Sequence, residues 1–460
     1  MRRNKNKMNR REALRVVSGA VAGWGWARWA SAIEMPEVKI PRATDGDLVV
    51  EPDWEQRLVI TVGPSGADLV GESEKTIQAA VDYVARLGGG TVHIQAGTYR
   101  LRNAIVLASG VRLLGDGDKT VLIKEPSSQT TIAEDSDWFD QEITLADATG
   151  FEVGDGICIQ SDNPHHSGKV ILKRTLVARS GNRFKLDRGL RENIWTMKTP
   201  TVSTLFPLVT AEEKSNLAIE NLVIDGNREA NAHLDGNYAG NLWFQDCSRI
   251  LIRGVETRNN NGDGISWQIC HDVVVEDCYV HDNADLGMHP GSGAQRPLIR
   301  NNRIERNTIG LFFCWGVQYG VAENNRMVDN SGQGLSIGHR DHYNIIRNNE
   351  ITGSGQTGVL FRPERGEGFT ATGNLLEENR IYDNGPENGA AVDFQGVTAG
   401  NTLVRNEIRE TRGPAERVGS ESVKNAATTP SPTITSTGSQ SPWRTSDRSK
   451  RPSRASALRL

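Results

Sequence analysis

Between residues 219 and 412 the apolar and polar positions repeat. Segments beginning at Ile252, Val275, Ile299, Ala322, Ile346, Leu376 and Leu403 superimpose, with starts 23, 24, 23, 24, 30 and 27 residues apart. Each of the first six is followed by a turn rich in Asn, Asp and Gly and then by a second short apolar strand, beginning at Ile265, Met288, Leu311, Leu335, Val359 and Ala391. A period in the twenties built of short strands and turns predicts a solenoid whose units stack through their neighbours. No repeat shows a 3.6-residue period, which excludes helical repeats. A leucine-rich repeat would need more leucine and a helical return, and neither is visible.

Asn302, Asn325, Asn349, Asn379 and Asn406 fall at one position of the repeat. Stacked strands lie ~4.8 Å apart, so these amides are expected to hydrogen-bond up the axis as a ladder. The fold class read from period and ladder is all-β, a right-handed parallel β-helix.

Upstream, Ile77, Ala80, Val81 and Val84 recur at helical spacing, predicting a helix over 76–90 that Gly88, Gly89 and Gly90 end. Strands follow at 91–94, 105–107, 111–114 and 120–123. Residues 137–208 break the repeat and read as a β insertion, with a hairpin at 175–186 around Gly181. The chain then divides into a signal segment 1–32, a linker 33–55, an N-terminal cap with first coils 56–136, the insertion 137–208, the repeats 209–412 and a Ser/Thr/Pro/Arg-rich tail 413–460 expected to carry no structure. The signal reading rests on Arg2, Arg3, Lys5, Lys7, Arg10, Arg11 and Arg15, an apolar middle and the small residues Ala30, Ser31 and Ala32. Arg10-Arg11 is of the twin-arginine type, which implies a bacterial protein exported to the periplasm or beyond.

Composition narrows the reading. A net charge of -4 over 460 residues gives no reason to expect a nucleic-acid partner. The 48 glycines follow no triplet period, so they mark turns rather than collagen. After the N-terminus no apolar run approaches the ~20 residues that span a bilayer. The five cysteines form no CxxC pair and are read as buried thiols rather than zinc ligands or disulfides.

Residues Thr76 to Tyr99, followed by Val111 to Gly117, resemble the N-terminal cap and first coils of the pectate-lyase-like β-helix superfamily, which also holds polygalacturonases, rhamnogalacturonases, epimerases and phage tailspikes. The resemblance covers roughly residues 56–412 and implies this fold and a polysaccharide substrate. Polygalacturonase-like glycosidases carry N-T-D-G, D-D, G-H-G and R-I-K segments on successive coils. Asn261 to Ile265 resembles the first. Asp285 stands at the second with one carboxylate in place of two, Gln333 replaces the histidine of the third, and Arg362 stands near the fourth without its lysine. Some relatives hold calcium between carboxylates, so calcium stays open; no cofactor or metal is assigned.

If the second strands stack, Ser266, His289, Phe312, Ser336 and Leu360 point outward from one wall. Asp263, Asp285, His289, Trp315, His339, Arg340, Asp341, Arg362, Glu364 and Arg365 are then expected to line one groove, with Trp315, Asp341, Glu364 and Arg365 binding substrate. Elimination from a uronate needs a cation on its carboxylate, from Arg340, Arg362 or Arg365, and a base, His339 or His289. Inverting hydrolysis needs two carboxyl groups about 6.5–9.5 Å apart, for which Asp263 and Asp285 are the candidates. Elimination ranks first, hydrolysis second, and binding without catalysis third. Oligomeric state is left open.

Overall fold

The computed structural model describes residues 53–412 apart from 388, 396 and 397, together with the backbone of Val418–Val423 and Trp443–Ser446. The expected signal segment 1–32 and nearly all of the linker 33–55 lie outside the described residues. From Arg57 onward the chain forms one compact unit.

Its frame is a parallel β-helix with three walls. The column Ile219, Ile252, Val275, Ile299, Ala322, Ile346, Leu376 and Leu403 is in register down the first wall. From Ile252 onward these are the repeat starts read from the sequence; the structure adds Ile219 above them, and all are buried. Their apolar side chains point to the axis because a strand alternates faces, and burying one face demands this register.

The second wall follows after one corner residue and one ladder residue, as in Leu298–Arg300, Asn301, Asn302, Arg303–Glu305. Asn301 takes a left-handed φ of 58° to make the corner. The third wall contains Leu242–Gln245, Ile265–Gln268, Leu286–Pro290, Ile309–Phe312, Gln333–Ile337, Thr357–Phe361 and Ala390–Phe394. Its inward column runs Ile265, Met288, Leu311, Leu335, Val359 and then Val392, one residue past the expected Ala391. The run Ala390-Ala391-Val392 is apolar throughout, so its alternation carries no phase.

The expected ladder is present. Asn302 Nδ2 donates to Asn325 Oδ1 at 2.9 Å, Asn325 to Asn349 at 3.0 Å, Asn349 to Asn379 at 3.0 Å and Asn379 to Asn406 at 2.9 Å. Two more stand at the other corners: Asn283, Asn307 and Asn330, and Asn344, Asn374 and Asn401.

The helix runs Glu74–Arg86 and packs against strands Leu58–Gly63 and Gly90–Ile94. Ile77, Ala80, Val81 and Val84 are its buried face. The insertion is a six-stranded antiparallel sheet reaching from Gln129 to Ser203, with a core of its own that includes Ile157, Phe184, Leu186 and Val202. Its hairpin Lys169–Ser180 and Arg183–Leu186 turns at Gly181 as expected. All five cysteines are free and buried. Of the tail, Val418–Val423 and Trp443–Ser446 are strands that continue the third wall; the rest lies outside the described residues.

Candidate functional site

Surface charge separates the walls. On the first, arginine and glutamate alternate along the axis: Arg112 pairs with Glu220 at 2.9 Å, Glu276 receives Arg253 at 2.5 Å and Arg300 at 2.6 Å, and Arg347 pairs with Glu323 at 2.6 Å. On the second, Arg258 bonds Asp225 at 2.8 Å and Arg306 bonds Asp282 at 2.7 Å. The outward row of the third wall is different. From Trp243 to Asp393 it reads Trp243, Ser266, His289, Phe312, Ser336, Leu360 and Asp393, a stretch with no arginine or glutamate.

This row faces out of the solenoid yet is covered. The segment between the second and third walls, residues 226–241, lies over its start. Ser266 Oγ donates to Gly236 O at 2.7 Å, Trp243 Nε1 donates to Asn237 O at 3.2 Å, and Leu234 N donates to Asn261 O at 3.1 Å. From the other end Arg362 reaches back. Its guanidinium stands 4.3 Å over the Phe312 ring and donates to Ser336 Oγ at 2.9 Å and Phe313 O at 2.7 Å.

Between the two covers lies a buried acid–base pair. His289 Nδ1 is 2.7 Å from Asp263 Oδ2, and both residues are 2% exposed or less. Asp263 Oδ1 also accepts from Leu286 N at 3.1 Å. His289 Nε2 has no hydrogen-bond partner, and its ring meets Phe312 edge-on at 5.4 Å. Burial opposes charge on the imidazole, but the Asp263 hydrogen bond and charge outweigh it and push its pKa up to about 10. Burial pulls Asp263 toward the neutral acid. We take the pair to hold its shared proton through neutral pH, because losing it would leave a net negative charge in a sealed site.

Asp285 stands apart from this pair. It is partly exposed, and its Oδ2 is 2.6 Å from His233 Nε2 on the covering segment. That hydrogen bond raises the His233 pKa against a partial burial. His233 escapes a sequence reading because it sits outside the repeat and next to no motif.

The remaining candidates gather where the third wall turns into the first. Trp315 is 46% exposed, so it does not pack in the core. His339 stacks between Trp315, at 4.8 Å, and Phe369, at 4.9 Å, and its Nδ1 is 3.2 Å from Glu364 Oε2. Arg340 lies over Phe369 and Arg365 over Trp315. Asp341 departs from the expected groove lining. It is fully buried and accepts from Gly316 N, Val317 N and Gly338 N, closing a corner of the backbone. The strand ends at Ile337, so the outward alternation assumed for Asp341 no longer applies.

Asp263, His289 and Arg362 therefore share one wall through Phe312, with Asp285 beside its start. His339, Arg340, Glu364, Arg365 and Trp315 form a second cluster at its far edge. Among the described residues no group of three or more His, Cys, Asp or Glu side chains is arranged to hold a metal ion.

Residues 209–363 match the family model described as a right handed beta helix region. The chain is a right-handed parallel β-helix protein. The Azotobacter vinelandii mannuronan C5-epimerase AlgE5 is 23% identical to it over 324 residues, 70% of this chain and 24% of that one. For AlgE1 of the same organism the identity is 23%, over 70% of this chain and 17% of the relative. The β-helix protein thus spans about a quarter or less of these curated relatives. Among solved structures, the A-module of A. vinelandii mannuronan C-5 epimerase AlgE6 is 17% identical with a TM-score of 0.45, covering 81% of this chain and 95% of that one.

Proposed function

We propose that this β-helix protein acts on an acidic polysaccharide by removing the proton α to the carboxylate of a uronate unit, with elimination across C4–C5 as the outcome. The observation that carries this reading is the buried His289–Asp263 pair on the one wall free of charge ladders. A uronate carboxylate must be neutralised before its α-proton becomes acidic. His289 was expected as a base. Held protonated, its Nε2–H suits it instead to meet the carboxylate and the charge that builds there as the C–H bond breaks. Arg362, reaching back over that row from just past its strand, adds a second positive charge, answered in part by the buried Asp341 at 3.3 Å. Trp315, His339 and Arg365 at the wall's edge suit neighbouring sugar units of the chain.

In the state described, Gly236 seals the pair. Substrate reaches Nε2 when Gly236 and its neighbours 235–238 lift from the wall, with His233 kept in place by Asp285. Hydrolysis is the weaker reading. It needs two carboxyl groups free to face substrate, whereas Asp263 is turned to His289 and Asp285 to His233.

A second reading, epimerisation, is favoured by the relatives matched over 70% of the chain, which bear the name mannuronan C5-epimerase. Epimerisation at C5 begins with the same proton loss and ends with its return from the opposite face.

Incubating the protein with a panel of uronate polymers in D2O tests both. Elimination gives an unsaturated product absorbing near about 235 nm; epimerisation places deuterium at C5. Both should fall at least 100-fold in His289→Gln and Asp263→Asn. New reducing ends without absorbance or deuterium would overturn the reading in favour of hydrolysis. Retained binding without any product would overturn it in favour of a binding protein. The reading carries export with it, checked by a mature N-terminus near residue 32.

A further inference from the structure

We infer that His233, held by Asp285, is the base that removes the α-proton, which rests on the reading above and completes it. Three observations carry this. First, His233 is about half exposed, unlike His289, so a polymer in the groove can touch it. Second, it rides on the segment whose Gly236 covers the His289–Asp263 pair, so it stands on the open side of that pair. Third, its Nε2 is tied to Asp285 Oδ2 at 2.6 Å. With Nε2–H donated to the carboxylate, the imidazole is fixed in the tautomer that leaves Nδ1 as the free acceptor.

The two pairs divide the labour. His289 with Asp263 keeps its proton and meets the carboxylate. His233 with Asp285 is the pair that takes up and releases the proton. In elimination, His233 Nδ1 takes the C5 proton, the C–H electron pair becomes the C4–C5 double bond, and the C4–O bond breaks with its electrons on the departing oxygen, which takes a proton from water. His233 then returns its proton to solvent. No oxidant or reductant enters.

Three acids act on His233: Asp285 from the adjoining coil, Asp235 from its own segment and Asp263 from the wall beneath. All hold its proton more tightly. The base must be deprotonated, so the rate should rise with pH through the raised His233 pKa. It should fall again only where the His289 pair lets go its proton, near about pH 10.

The test is the pH–rate profile of the 235 nm product or of C5 deuterium exchange, in the full chain. His233→Gln should lose 100-fold or more at neutral pH, within the range general base catalysis spans. Asp285→Asn should retain measurable activity with its acid limb moved to lower pH, a shift a merely structural residue would not cause. Added imidazole should restore part of the rate to His233→Gly. An unchanged profile in Asp285→Asn, or full activity in His233→Gln, would overturn the assignment while leaving the function standing. A wild-type protein giving neither product nor exchange would overturn both.

Discussion

Gly236→Ala tests whether the covering segment controls the site. A Cβ there would lie 1.7 Å from Asp263 Oδ2 and 2.1 Å from its Cγ. Ordinary contact begins at 3.4 Å, so one of the two must move by roughly 2 Å. Asp263 is fixed by His289 and by Leu286 N, whereas Gly236 meets the wall through its carbonyl on Ser266 Oγ, so the backbone around Gly236 yields. The move breaks the 2.7 Å bond from Ser266 Oγ to Gly236 O. That bond is worth about 1 kcal/mol; Ser266 Oγ keeps the bond it accepts from Gln268 Nε2, but its buried O–H is left without that acceptor, which brings the loss to about 2–3 kcal/mol. Expected consequences are a melting temperature lower by roughly 3 °C and faster acylation of His289 by diethyl pyrocarbonate, mapped by peptide mass spectrometry. Wild-type melting together with an unreactive His289 in the variant would show that the segment is not the barrier.

Lys124 is buried, and burial lowers its pKa from 10.5 to about 7. The unfolded chain therefore binds more protons between about pH 7 and 10.5, and stability rises with pH across that window. Lys124→Met should be the more stable protein by a few kcal/mol below about pH 7, with the gap closing toward pH 10.5 in denaturant titrations; a gap independent of pH would contradict the cause given. Asn349→Ala removes four ladder bonds, to Asn379 Oδ1 and Ala322 O and from Asn325 N and Nδ2, and should cost about 3–5 kcal/mol by urea unfolding. Trp315→Ala should weaken polysaccharide binding by roughly tenfold in affinity electrophoresis without lowering the melting temperature, since its ring is largely outside the core.

The period was legible because each coil buries the same columns, and Ile299 or Leu376 must recur where the axis needs an apolar side chain. The three-walled cross-section was harder to read. The first and second walls meet across two residues, such as Asn301 and Asn302, with no turn glycine or proline between them, so two strands read as one segment. Of the ladders, only the one inside that segment stood out, because loops of variable length displace the other two in the alignment. His289 was placed on the outward row because alternation holds within its strand, whereas Asp263 and Arg362, just outside theirs, meet that row through the His289 pair and the Phe312 ring. Asp341 was misplaced because alternation ends where the strand does. His233 belongs to a segment outside the repeat, and its meeting with Asp285 is made by tertiary folding alone.

The charge ladders have a consequence for how a polyanion meets this molecule. Along two sides most arginines already answer a carboxylate on the same or a neighbouring coil, so a strand of repeating negative charge finds little net attraction there and would have to break existing pairs to bind. On the third side arginine and carboxylate do not alternate from Trp243 to Asp393, so an acidic polymer meets no such ladder there. The solenoid is in this sense one-sided, and the side proposed to meet the polymer is set apart as much by the self-neutralised flanks as by its own residues.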